Sequence, residues 1–136
     1  MNLEQLQNSG RIQFECVAGS TCYNLNTPQS DVDLRGIFVH PKEDYFTLND
    51  PIMQISDKKS DILYYELSKF VKLASGCNPN IIELLYVDDK FINIKTPVMD
   101  KLIENRDMFI SQKCYYTFSS YAHAQIKKCK GQNKWI

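Results

Sequence analysis

Apolar and polar positions follow two different periods along this chain. Near the N-terminus, residues 2–8 read as a short helix that Asn8-Ser9-Gly10 ends. Ile12–Ala18 reads as a strand rich in Phe14, Cys16 and Val17, terminated at Gly19-Ser20. Residues 21–26 look like a helical turn or two, and Asn26-Thr27-Pro28-Gln29-Ser30 is a turn cluster. From 31 to 39 the alternation has period two. Asp31, Asp33 and Arg35 fall on one side and Val32 and Leu34 on the other, which predicts a strand with one polar and one buried face. Residues 52–56 and 60–64 are further strand candidates, joined by the polar turn Asp57-Lys58-Lys59.

The second half reads as helical. Leu63, Leu67, Phe70, Val71 and Ala74 form an apolar stripe that Gly76 stops. Asn78-Pro79 supplies an N-cap followed by proline at the first helical position, and Thr96-Pro97 repeats the device. A last helix spans about 111–130, with Cys114, Phe118, Tyr121, Ala122, Ile126 and Cys129 on one face, and Gly131 ends it. Strands first and helices after predict an α+β fold, a small mixed β-sheet with helices packed on it.

The 136 residues suit one domain, with a catalytic core over about 12–90 and C-terminal helices over about 97–130. Sixteen acidic residues balance 16 basic ones, which argues against a general-purpose polyanion binder. No stretch approaches the roughly 18 apolar residues of a membrane span, and Met1-Asn2-Leu3-Glu4-Gln5 is no secretion signal. The cysteines (Cys16, Cys22, Cys77, Cys114 and Cys129) are odd in number and lack a CxxC pair, which points to free thiols in a reducing cytoplasm.

The chemistry concentrates between residues 19 and 33. Two aspartates at i and i+2 on a strand project from one face, roughly 7 Å apart at their Cα atoms. The carboxylates of Asp31 and Asp33 can therefore converge on a pair of Mg²⁺ ions about 4 Å apart. Gly19-Ser20 sits where a strand gives way to a predicted helix. There a glycine lets the backbone approach phosphates, and the exposed N–H groups and the Ser20 hydroxyl donate to them. Ten residues, Thr21 to Ser30, separate this corner from Asp31, enough for a short helix and a return loop.

The stretch Val17-Ala18-Gly19-Ser20-Thr21-Cys22-Tyr23, followed by Ser30-Asp31-Val32-Asp33-Leu34-Arg35-Gly36, resembles the signature of the DNA polymerase beta superfamily of nucleotidyltransferases. Asn78-Pro79-Asn80, Glu83-Leu84-Leu85 and the preceding Glu66-Leu67-Ser68-Lys69-Phe70 extend the likeness to a bacterial and phage branch, over about residues 14–86. The resemblance implies Mg²⁺-dependent transfer of a nucleoside monophosphate from an NTP to an acceptor hydroxyl, with release of pyrophosphate. The acceptor is an RNA end, a protein hydroxyl or a small molecule. It implies two Mg²⁺ ions held by Asp31 and Asp33, phosphates cradled by Gly19 and Ser20, and a third carboxylate that is both metal ligand and proton acceptor. Asp61 is the choice by position, ahead of Asp57 in its turn and Glu66 in the first turn of a helix. The branch's glycine after Tyr23 is Asn24 here, and the chain ends before the further helices that family members usually carry. A truncated, non-catalytic nucleotide- or partner-binding module of the same fold is therefore the alternative.

Other residues have plainer readings. Arg35 shares the aspartate face, where it serves a salt bridge or a phosphate. Lys69 and Lys72 are read as solvated, Asn78 as an N-cap and Glu83 as a match to the branch. His40 and His123 are read as structural or exposed, and the lysines of the tail (Lys127, Lys128, Lys130 and Lys134, beside Trp135) as suiting a helix C-terminus.

Overall fold

A computed structural model describes residues 1–18 and 33–132 of the chain. Helix α1 (Leu3–Ser9) starts at a capping box, in which Asn2 and Gln5 exchange side-chain to backbone hydrogen bonds, and Gly10 closes it at φ 72°. Strand β1 (Ile12–Ala18) follows, then β2 (Asp33–Phe38), β3 (Gln54–Asp57) and β4 (Ile62–Glu66). Helices α2 (Leu67–Ser75) and α3 (Pro79–Leu85) come next, then β5 (Ile92–Lys95), α4 (Pro97–Glu104) and α5 (Gln112–Gln132).

The five strands form one mixed sheet in the order β3-β4-β2-β1-β5. β2 lies in the middle, antiparallel to β1 and parallel to β4. The α+β expectation holds.

Two apolar clusters grip this sheet. Phe14, Cys16 and Ile37 pack with Phe70 and Ala74 of α2, with Ile81 and Leu85 of α3, and with Met99 of α4. Leu6 of α1 meets Ile12, Phe38, Ile55 and Tyr64 in the second cluster. Gly36 lets strand and ring approach closely. A Cβ there would collide with the Phe14 carbonyl and stand 2.6 Å from the Tyr64 ring. The Tyr64 hydroxyl reaches across to donate to Glu15, and burial followed by that carboxylate raises its pKa well above the phenol range.

Several expectations change. Leu63 belongs to β4, so the apolar stripe of α2 begins at Leu67. Glu66 is the last residue of β4 and the N-cap of α2, one step before the helix in which it was expected. Gly76 ends α2 at φ −83°, and the left-handed residue is Cys77 at φ 57°. Asn78 caps α3 as expected, but Thr96 gives α4 no side-chain cap; its hydroxyl donates to the Gln13 carbonyl of β1 instead. The second half is not all helical. Ile92-Asn93-Ile94-Lys95 alternates and adds an edge strand to β1. Helix α5 runs on to Gln132, past the glycine expected to end it. Its supposed core stripe is largely in solvent. Only Cys114 is buried, whereas Tyr121 is 41% and Ile126 53% exposed. The expected helical turn at 21–26 and turn cluster at 26–30 lie outside the described residues, as do Lys134 and Trp135.

Candidate active site

β1 and β2 place their chemistry at one end of the sheet. Ala18, the residue before Gly19, pairs directly with Asp33, and Cys16 pairs with Arg35. Gly19, Ser20 and Asp31 themselves lie outside the described residues. On the other side of β2, the Leu34 N–H donates to the Asp61 carbonyl at 3.1 Å, in register with the parallel β4. The start of the central strand thus lies between the end of β1 and the residue just before β4.

Asp61 is held from several directions. Its backbone is left-handed, with φ at 52°, a conformation that aspartate tolerates better than most side chains. Arg35 donates to the Asp61 carbonyl at 2.9 Å and to its carboxylate at 3.0 Å, and also reaches the Leu34 carbonyl. A hydrogen bond with Asp33 is the largest cause that lowers the Asp61 pKa; burial opposes it, and Arg35 lowers it further. Two carboxylates brought this close repel one another, and a divalent cation, which takes oxygen ligands, would relieve that repulsion. A depressed pKa keeps Asp61 ionised across neutral pH. That suits a ligand's task better than proton storage.

The sheet end opens into a cavity of about 410 Å³. Ala18, Asp33, Arg35 and Tyr65 line its sheet side, and Asn80 and Glu83 of α3 and Tyr121 of α5 face them. Burial raises the Tyr65 pKa against the pull of Arg35, so its phenol stays neutral and able to donate.

The other expected carboxylates are engaged elsewhere. Glu66 is 2% exposed and accepts from the Ser68 N–H and hydroxyl, the Lys69 N–H and the Tyr45 hydroxyl. Burial raises its pKa, but these donors outweigh burial and leave it lowered. Asp57 ends β3 and fastens its own turn through the Lys59 N–H and the Ser60 hydroxyl. Among the described residues, no group of three metal-ligating side chains is assembled.

Sequence reasoning missed Asn80 and Tyr121. Asn80 stands three residues before Glu83, the spacing that puts two side chains on one helix face. Tyr121 was hidden by its fit to an apolar stripe. Asn78 serves as the α3 cap, and Lys69 and Lys72 line a different cavity. His40 is buried against Phe38 and Tyr45, while His123 is exposed.

A model of the RlaP family, described as the RNA repair pathway DNA polymerase beta family, matches residues 1–135. The chain belongs to this family. Neither the curated proteins nor the solved structures contain a match. RlaP membership agrees with the α+β architecture and with a polymerase beta type of nucleotidyltransferase. No helix among the described residues is long and apolar enough to cross a membrane.

Proposed function

We propose that this chain transfers a nucleoside monophosphate from an NTP to a hydroxyl at an RNA end. The hydroxyl oxygen bonds to the α-phosphorus, the bond to the β-phosphate oxygen breaks, and pyrophosphate leaves. The observation that carries this reading is Asp33 beside Arg35 in the wall of a cavity of about 410 Å³, with Arg35 bonded to the Asp61 carboxylate at 3.0 Å. The chemistry of the two carboxylates fits Mg²⁺, which takes oxygen ligands and prefers carboxylates. Asp31, two residues before Asp33 on the same strand pattern, would join them. When bound, two such ions stabilise charge on the attacking and leaving oxygens.

The protein's own groups supply the rest. Gly19 and Ser20, which follow Ala18 directly, would cradle the triphosphate with backbone N–H groups and a hydroxyl. Arg35 keeps Asp61 ionised and fixed, and Asn80 and Tyr121 offer polar contacts from the opposite wall. The hydroxyl proton passes to the carboxylate set. The description of the RlaP family as an RNA repair family supports an RNA end as acceptor, ahead of a protein hydroxyl or a small molecule.

The test is transfer of label from an α-labelled NTP, with Mg²⁺, to a panel of RNA, protein and small-molecule acceptors. RNA is expected to take the label, and Asp33→Ala or Asp61→Asn to lower the rate by about 100-fold or more, the scale of losing a charge-stabilising group. Label transfer at the wild-type rate in Asp31→Ala and Asp33→Ala would sink the assignment. Calorimetric binding of ATP and Mg²⁺ without pyrophosphate release would favour a non-catalytic module.

A further inference from the structure

A second cavity, of about 900 Å³, also draws lining from α3 and α5. Met53, Leu73 and Pro79 give it apolar lining, and Thr117, Lys69 and Lys72 add polar groups. A third cation stands beside it. The Lys113 ammonium lies 4.0 Å from where a Cβ on Gly76, another lining residue, would stand. Among the described residues no carboxylate is within ion-pairing distance of these three lysines; Lys69 donates only to the neutral Gln54 side chain, at 2.8 Å.

The two cavities meet across short pieces of chain. Asn78 lines the lysine cavity and Asn80 the carboxylate cavity. Thr117 and Tyr121, one helical turn apart on α5, are divided in the same way. Unpaired cations around an apolar floor suit a ligand that carries negative charge on one edge and flat apolar faces on the other. Single-stranded nucleic acid has that form, with phosphates for the lysines and base faces for Met53, Leu73 and Pro79.

We propose that the lysine cavity binds the acceptor RNA as a single strand, and that the strand crosses Asn78-Pro79-Asn80 to bring its terminal hydroxyl to the carboxylate cavity. The assignment of RNA rests on the transferase reading above; the presence of a polyanion site does not. The neutral sum of charge hides this site, because a local group of three lysines is offset by acids elsewhere along the chain.

The experiment measures binding of a fluorescently labelled short single-stranded RNA by anisotropy, across a salt series. It compares the wild type with Lys69→Glu/Lys72→Glu/Lys113→Glu and with the milder triple glutamine variant. Binding of an NTP with Mg²⁺ is followed by calorimetry in the same proteins. The expected result is RNA affinity lower by about tenfold or more in both variants, with a shallower salt dependence. Three phosphate contacts correspond to a slope of about 2 in the log–log plot. NTP binding is expected to stay at the wild-type level. Unchanged RNA affinity in both variants would overturn the site. So would equal binding of duplex RNA or of an acidic peptide, since neither is a strand with exposed bases. A lysine-dependent loss of RNA binding in a protein that binds no NTP would uphold this site and defeat the transferase reading alone.

Discussion

At the scale of single residues, the candidate site depends on side chains that each make several bonds. Arg35 ties a backbone carbonyl and a carboxylate of Asp61 together, so it fixes both the position and the charge of that acid. Glu66 shows the opposite outcome for a carboxylate. Surrounded by four donors, it holds the start of α2 and has no capacity left for chemistry at the cavity. Gly36 contributes by what it lacks. Since its missing Cβ would strike the Phe14 backbone as well as the Tyr64 ring, Gly36→Ala cannot be relieved by one rotamer change. We expect it to destabilise the fold by about 3 kcal/mol, the upper range for overpacking, visible in urea unfolding as a lower midpoint with an unchanged slope.

At the scale of elements, legibility followed how much a local pattern decides. β1 was readable to the residue, because Ile12, Phe14 and Cys16 alternate and all three are buried. Asp61 was chosen from its place at the head of a strand, and the parallel register with β2 brings it to Asp33. β5 escaped because four residues between helical segments carry too short an alternation, and it is secured by pairing with β1, distant in sequence. The register of Asp33 with Ala18 could not be read for the same reason: it belongs to a pairing, not to either strand. Helix α5 was misread in the other sense. Its spacing suits a core helix, but among the described residues its contacts lie toward its start, through buried Cys114, the Thr117 hydroxyl on the Cys77 carbonyl at 2.7 Å, and Tyr121 at the carboxylate cavity. Amide hydrogen exchange should therefore divide this helix, with protection near Cys114 and Thr117 and rapid exchange beyond Ile126. Uniform protection along its length would contradict that division.

At the scale of the whole molecule, the central strand links the site to the sheet. β2 is flanked on both sides, and its first described residue, Asp33, interacts with Asp61. A cation held between these two carboxylates would bind the folded chain and not the unfolded one. Mg²⁺ added at about ten times its dissociation constant should then stabilise the fold by ~1.4 kcal/mol, a rise of about 5 °C in Tm for a chain of this size. Scanning calorimetry of the wild type and Asp33→Asn checks this; an equal rise in both would separate the effect from the carboxyl pair. The group of three lysines beside the apolar cavity has a further consequence for encounter kinetics. With 16 charges of each sign, the molecule exerts almost no pull on a polyanion beyond a Debye length. At close range the three lysines beside the apolar cavity would draw a phosphate chain to their own flank. Partners would be sorted by orientation after collision rather than by attraction during approach, and added salt would shorten the lifetime of a complex far more than it slowed its formation.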